Sequence, residues 1–205
     1  GEQFHNFVED IANTILSKSL KTVEEAKEAT TDLFADATVK MGEKFDLRRF
    51  NVIEAEDGYF IGNYIHMGGK IACAVKVLGG DAEVAKGLAM HIAANNPSYI
   101  TMDDVPASEI EHERTVQLES AKSDPKLMSK PQEFLMKIID GKINKYFADM
   151  ILLNQTYLLD DTKTVGQFLT EKNAKVITYV RYMVGEGIEK RHDDFASEVM
   201  KEANR

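Results

Sequence analysis

The chain has 205 residues, a formal net charge of −9 and 43% hydrophobic residues, a composition typical of globular proteins and not of disordered or fibrous ones. The excess negative charge disfavours nucleic acid as a partner, because binding to a phosphate backbone depends on Lys and Arg. No stretch approaches the roughly 20 apolar residues of a membrane span. The single Cys73 cannot form an intrachain disulfide, which fits a reducing compartment. We therefore predict a soluble, cytoplasmic protein with one domain or two small ones.

The first part of the chain has the pattern of amphipathic helices. Apolar residues at helical spacing predict a helix over residues 4–15. A second helix is predicted to begin after Thr22, which has a glutamate three residues later as in a capping box, and to end at Gly42. The pattern then changes to a period of two, which predicts a strand over residues 48–56.

The next part predicts a β-hairpin followed by a helix. Residues 59–66 and 70–78 are rich in β-forming residues and are separated by Met67-Gly68-Gly69, so the two runs are expected to pair. Gly79-Gly80-Asp81 then precedes an apolar pattern of helical period that must end before Pro97.

Two further helices are predicted around a break at Pro125 and Pro131. The first, over residues 108–121, is highly charged and has few large apolar residues, whereas the second, over residues 134–147, is amphipathic with a weak point at Gly141. Because the first helix has little to bury, we expect a helical hairpin that projects from the body.

The last part combines a capped helix, a strand and a closing helix. Thr164 and Gln167 have capping-box spacing, residues 175–184 alternate as a strand, and residues 193–204 predict the closing helix. Residues 7–12 resemble residues 88–93, which hints at an internal duplication. If the duplication is real, half a sheet is missing from the N-terminal end.

The sequence lacks the common enzyme signatures. No phosphate loop, dinucleotide fingerprint, nucleophile elbow or paired-cysteine zinc motif is present. His66 follows a predicted strand, where it is either an ordinary residue beside a turn or an exposed imidazole that hydrogen-bonds a partner. His91 is on a predicted helix, where packing is the simpler interpretation. A general base is the competing interpretation for either histidine, but the sequence nominates neither a carboxylate partner nor a pocket for it. The spacing of these histidines and Cys73 does not require a metal, so we predict no metal and no cofactor.

Leu158 and Leu159 follow Tyr157 between the helical hairpin and the capped helix. They are either part of the core or an apolar docking patch on a loop. From the residues alone, the chain is predicted to be an α+β binding or interaction module.

Several segments, read together, resemble elongation factor Ts, the exchange factor for the GTPase elongation factor Tu. The matching segments follow the family order and cover nearly the whole chain: residues 64–71, 90–94, 130–142, 152–155, 163–166 and 184–187.

The resemblance implies an α+β fold with two related halves, each with a small antiparallel sheet and helices, and an inserted helical hairpin resembling a coiled coil. Residues 1–57 would form the N-terminal half, residues 58–107 and 150–205 the C-terminal half with the closing helix, and residues 108–149 the inserted hairpin. In this scheme residues 48–56 belong to the sheet of the first half.

The resemblance also has a gap at the start of the chain. Family members begin with a small helical domain and a strand pair that ends in Thr-Asp-Phe-Val, whose aromatic residue helps to disturb the magnesium site of the GTPase. The chain begins just downstream of where that motif would end. We therefore expect a truncated form that docks on the GTPase but exchanges nucleotide poorly.

Carried over by position, the family contacts imply that this chain has a surface that binds elongation factor Tu. Met41 and Gly42 match a contacting loop, His66 a contacting histidine, and Leu158 and Leu159 an apolar pair. The implied function is guanine nucleotide exchange without covalent chemistry, so the protein is not expected to be an enzyme. The alternative is an oligomeric interaction module that does not exchange nucleotide. A homodimer or a two-to-two complex is a further implied partner arrangement.

Overall fold

The computed structural model describes residues 1–188, so the predicted closing helix at residues 193–204 lies outside the described residues. The chain divides into two compact units, Gly1–Glu54 and a second unit that begins at Ala55. None of the helices within the described part reaches the length and apolar character that crossing a membrane requires.

The first unit contains three helices: α1 (Glu2–Ser17), α2 (Val23–Ala29) and α3 (Thr31–Met41). The opening helix and the cap at Thr22 are confirmed, since the Thr22 side chain accepts a hydrogen bond from the Glu25 N–H. The prediction of one continuous helix up to Gly42 was wrong, because the helix is interrupted at Thr30, which separates α2 from α3. The buried Thr30 hydroxyl donates to the Ala26 carbonyl at 2.6 Å, so that this carbonyl near the C-terminal end of α2 is hydrogen-bonded to both the hydroxyl and the N–H of Thr30.

Aromatic side chains form the core of this unit. Phe7 meets Phe34 edge to face, with ring centroids 5.1 Å apart, and lies 5.2 Å from the ring of Phe45. Phe45 belongs to the segment after α3, so this packing joins that segment to the helices. An ion pair between Lys27 and Asp46 at 2.7 Å adds a second, solvent-exposed link.

The predicted strand at residues 48–56 was wrong. Residues 44–56 have no regular secondary structure, and every strand in residues 1–188 pairs with another strand of the second unit. Alternating polarity gives a segment two faces, but a strand also requires a neighbouring strand for its backbone hydrogen bonds. The α+β class with small antiparallel sheets is confirmed, whereas the regular structure of residues 1–54 is helical.

The second unit contains an antiparallel sheet in the order β1 (Tyr59–His66), β2 (Ile71–Gly79) and β5 (Ala174–Met183). The predicted hairpin is confirmed: β1 and β2 pair in register from Tyr59 opposite Leu78 to His66 opposite Ile71. The predicted late strand is β5, which pairs antiparallel with β2.

Helix α4 (Ala82–Asn95) packs against this sheet. Its N-terminus is capped by Asp81, whose carboxylate accepts from the Val84 N–H at 2.9 Å. The contact with β1 is very close at Gly62, where a Cβ atom would lie 2.0 Å from the Ala85 carbonyl oxygen. The sheet, α4 and the elements that follow the helical hairpin share one core that includes Val75, Val77, Leu88, Ile92, Leu152 and Val165.

The helical arm consists of α5 (Ala107–Lys122), α6 (Pro125–Met128) and α7 (Gln132–Ala148). It has its own core, formed by Val105, Ala121, Ile139, Ile143, Phe147 and Ile151. Arg114 on α5 pairs with Asp140 on α7 at 2.7 Å. The predicted helical hairpin is therefore present, and its charged first helix buries only a narrow stripe.

The two ends of the arm lie side by side. The N–H groups of Ser98 and Tyr99 both donate to the Met150 carbonyl, at 2.8 and 3.1 Å, and the Leu152 N–H donates to the Tyr99 carbonyl at 2.7 Å. Tyr99 and Ile151 form an isolated parallel bridge. Backbone hydrogen bonds thus close the base of the arm.

A short hairpin and a capped helix follow the arm: β3 (Thr156–Tyr157), β4 (Asp160–Thr164) and α8 (Val165–Glu171). The predicted capping box is confirmed. The Gln167 N–H donates to the Thr164 hydroxyl at 3.1 Å, and the Thr164 N–H donates to the Gln167 side chain at 2.9 Å.

The Gly62→Ala substitution should destabilise the protein by about 1–3 kcal/mol or more, because the added methyl group meets the backbone of α4, which cannot move without shifting the helix. Gly141→Ala is the matched control: it adds the same methyl group in α7, where no atom lies within 4 Å, and should stabilise by about 0.5–1 kcal/mol. Denaturant unfolding midpoints measure both effects. Equal destabilisation by the two substitutions would contradict the steric explanation.

Candidate functional site

Met41 and Gly42 lie at the end of α3 in the first unit. Gly42 has a φ of 69°, the left-handed conformation that ends a helix, and its N–H donates to the Thr38 carbonyl. Met41 is half-buried and, with Phe4 and Phe45, lines an open cavity of about 640 Å³. The end of α3 is thus held by its helix cap and by the packing of Met41 against the core of the first unit, and Gly42 itself is exposed.

His66 is exposed at the end of β1, in the second unit. Its Nδ1 lies 3.2 Å from the Tyr64 hydroxyl, and the two rings lie 5.7 Å apart at an angle of 31°. Residues two apart on a strand project from the same face, so Tyr64 can orient the imidazole. When the hydroxyl donates to Nδ1, the ring proton lies on Nε2, which can then donate to an acceptor on a partner.

The turn after His66 has a backbone conformation that favours glycine. Met67, Gly68 and Gly69 all have positive φ angles, of 52°, 64° and 96°. Such conformations are uncommon for residues other than glycine, which explains the glycine pair. His66 itself lies at the last paired position of the hairpin, opposite Ile71.

Leu158 and Leu159 form the turn between β3 and β4, with Tyr157 paired to Asp160. Their side chains are 47% and 57% exposed, which excludes the core-packing interpretation. Tyr157, by contrast, is buried and stacks on Phe168 with a centroid distance of 4.1 Å. The turn therefore displays two apolar side chains above a buried aromatic one.

Helix α4 contacts the elements that carry both of these features of the second unit. It meets β1 through Ala85 against Gly62, and it meets the leucine turn through Gly87, where a Cβ atom would lie 2.2 Å from the Tyr157 hydroxyl oxygen. The structure thus places His66 and the two leucines on elements that both pack against α4. Met41 and Gly42 belong to the other unit.

His91 is completely buried on α4. Its Nε2 lies 2.9 Å from the Gln155 side-chain oxygen, and its Nδ1 accepts a hydrogen bond from the Leu158 N–H at 3.0 Å. Burial lowers the pKa of this imidazole, against a smaller opposing effect of the Gln155 hydrogen bond. A buried ring with both nitrogens hydrogen-bonded inside the fold does not fit the general-base alternative, so the packing interpretation is confirmed.

The single cysteine, Cys73, is also buried. Burial raises the pKa of the Cys73 thiol to about 11, which keeps the thiol protonated and a poor metal ligand. Within residues 1–188, no three His, Cys, Asp or Glu side chains are grouped so that they could hold a metal ion.

Sequence reasoning missed the link between α4 and the leucine turn. The His91 hydrogen bonds join residues 64 and 67 positions apart, which no local pattern shows. One signal was available: Gly87 and His91 are four residues apart and so lie on one helix face. A glycine there is typical of close approach by another segment.

Comparison with known proteins gives one consistent result. The family model described as "Elongation factor TS" matches residues 1–186. Elongation factor Ts of Limosilactobacillus reuteri (strain DSM 20016) is 39% identical over 209 residues, covering 99% of this chain and 70% of that protein. Elongation factor Ts of Pediococcus pentosaceus is 39% identical over 207 residues, covering 98% of this chain and 70% of that protein.

A third relative, elongation factor Ts of Levilactobacillus brevis, is 37% identical over 210 residues, covering 99% of this chain and 70% of that protein. The family match extends over both compact units and includes the segments on which the sequence resemblance depends, except residue 187 of the last one. The chain therefore belongs to the elongation factor Ts family of translation elongation factors.

Proposed function

We propose that this protein is a guanine nucleotide exchange factor that binds elongation factor Tu in the cytoplasm and promotes release of GDP. The observation that carries the proposal is the family match over residues 1–186. The exposed His66 and the exposed pair Leu158 and Leu159 support it, because each offers a group suited to a protein interface.

The mechanism requires only differential binding. A GTPase holds its diphosphate through loop amides and a bridging Mg²⁺. A protein that binds the nucleotide-free conformation more tightly than the GDP-bound one must weaken GDP binding by the same factor, because coupling is reciprocal. No bond is made or broken, so the exchange factor needs no catalytic acid or base.

Each proposed contact has a defined chemistry. His66 would donate a hydrogen bond from Nε2, whereas Leu158 and Leu159 would bury apolar surface in a groove of the partner. Met41 and Gly42 would contribute a loop from the first unit. Because the residues are carried by short turns and a helix cap, little conformational entropy is lost when they bind.

Release of fluorescent GDP from elongation factor Tu tests this function directly. At saturating concentrations of this protein, we expect release to accelerate by about 5-fold, the low end of ordinary coupling factors, which fits a factor that exchanges nucleotide poorly. Binding to nucleotide-free elongation factor Tu without any acceleration would contradict exchange and favour a docking module that does not exchange. Light scattering of the same mixture measures the stoichiometry and separates a one-to-one complex from a homodimer or two-to-two complex.

The His66→Ala variant should bind nucleotide-free elongation factor Tu about 5- to 10-fold more weakly, the effect of losing one interfacial hydrogen bond. Its melting temperature should hardly change, since exposed substitutions usually alter stability by less than about 0.5 kcal/mol. His112→Ala, at an exposed histidine of α5, is the matched control. A large loss of stability with unchanged binding would show that His66 is a structural residue of the hairpin.

Replacing Leu158 and Leu159 together by alanine should weaken binding by about 10-fold or more, because apolar area that the complex would bury is removed. Leu16→Ala is the matched control, since that leucine of α1 is 60% exposed, close to the 57% of Leu159. Isothermal titration with the nucleotide-free GTPase measures both. If the control lost as much affinity as the double variant, the turn would not be a specific contact.

A further inference from the structure

The turn formed by Leu158 and Leu159 lacks the features that stabilise a hairpin turn by local interactions alone. Two-residue hairpin turns normally have a positive φ at one or both central residues, but neither leucine has one. The strand that precedes the turn, β3, is only two residues long, and its register with β4 shifts next to the turn. The orientation of the turn must therefore depend on contacts with another element.

Helix α4 supplies those contacts from one face. Gly87 makes room for the turn: a Cβ atom there would lie 2.2 Å from the Tyr157 hydroxyl oxygen and 3.2 Å from Leu159 Cδ1. One helical turn further along, His91 Nδ1 accepts from the Leu158 N–H at 3.0 Å. The contact at Gly87 determines how closely the turn approaches the helix. The hydrogen bond from the Leu158 N–H to His91 fixes the direction of the turn backbone.

The hydrogen bonds of His91 define a single ring state. Because Nδ1 accepts from Leu158, the proton of the neutral ring lies on Nε2 and donates to the Gln155 side-chain oxygen at 2.9 Å. The amide orientation of Gln155 is set in turn, since its Nε2 donates to the Asp149 carbonyl at 2.9 Å. Burial lowers the pKa of His91 and so favours this neutral ring.

We propose that His91 is a positioning residue for partner binding: its Nδ1 holds the Leu158 backbone so that Leu158 and Leu159 face the partner. The proposal rests on the proposed function, because it assigns a role in binding elongation factor Tu. It concerns a residue that is buried and cannot touch the partner itself.

Two amide substitutions separate the two nitrogens of the ring. In His91→Asn, the side-chain oxygen lies where Nδ1 was and can still accept from Leu158, whereas the bond to Gln155 is lost. In His91→Gln, the side-chain nitrogen lies near the former Nε2 and can still donate to Gln155, whereas the acceptor for Leu158 is lost. Both variants remove the ring, so a general packing defect affects them alike.

We expect the His91→Gln variant to bind nucleotide-free elongation factor Tu about 5- to 10-fold more weakly than the His91→Asn variant. Hydrogen exchange of the Leu158 amide should be faster in His91→Gln than in His91→Asn, and this measurement needs no partner. Equal affinities, or a greater loss in His91→Asn, would overturn the proposal.

A second pair of variants tests the same bond from the exposed side, in case the core substitutions prevent folding. Leu158→Ala removes the side chain and keeps the N–H, whereas Leu158→Pro removes both, and proline is well tolerated at the first central position of a turn. We expect Leu158→Pro to bind about 5- to 10-fold more weakly than Leu158→Ala. Equal affinities for this pair would overturn the role of the Leu158 N–H.

The unmodified protein separates failure of this inference from failure of the proposed function. If it does not bind elongation factor Tu at all, the proposed function fails, and the binding role of His91 fails with it. If it binds and the variant pairs do not differ, only the role of His91 is wrong.

Discussion

The close packing of α4 is the constraint on which the second unit depends. Two glycines make it feasible: Gly62 lets β1 approach the Ala85 carbonyl, and Gly87 lets Tyr157 and Leu159 lie directly on the helix. Each contact leaves no room for a Cβ atom. Interiors packed at this density transmit displacement, so the hairpin with His66 and the turn with Leu158 are held in a fixed relation to one helix.

Two histidines of the same unit illustrate opposite uses of one side chain. His66 is exposed and lies beside the hydroxyl of Tyr64, so its ring is oriented and still open to a partner. His91 is buried, and its nitrogens are hydrogen-bonded to Gln155 and Leu158. The function that we propose works through binding energy alone, and in it His66 would contact the partner and His91 would position the contacts.

Local sequence signals predicted much of the fold and less of the site. The capping box of Thr164 and Gln167 is contained within four residues, so the sequence alone shows it. The strand predicted at residues 48–56 failed because strand formation depends on a neighbour that a local pattern cannot identify. The bond between His91 and Leu158 joins residues 67 positions apart, so only the folded chain reveals it.

The closed base of the helical arm has a consequence for how this protein can vary. The Tyr99 N–H donates to the Met150 carbonyl, and the Leu152 N–H donates to the Tyr99 carbonyl. The two ends of the arm are therefore held at a fixed distance, whatever the length of the arm between them. Extending a loop whose ends are already joined costs little entropy. Residues 107–148 could therefore be lengthened, shortened or replaced by another helical pair, while the elements on either side keep their geometry.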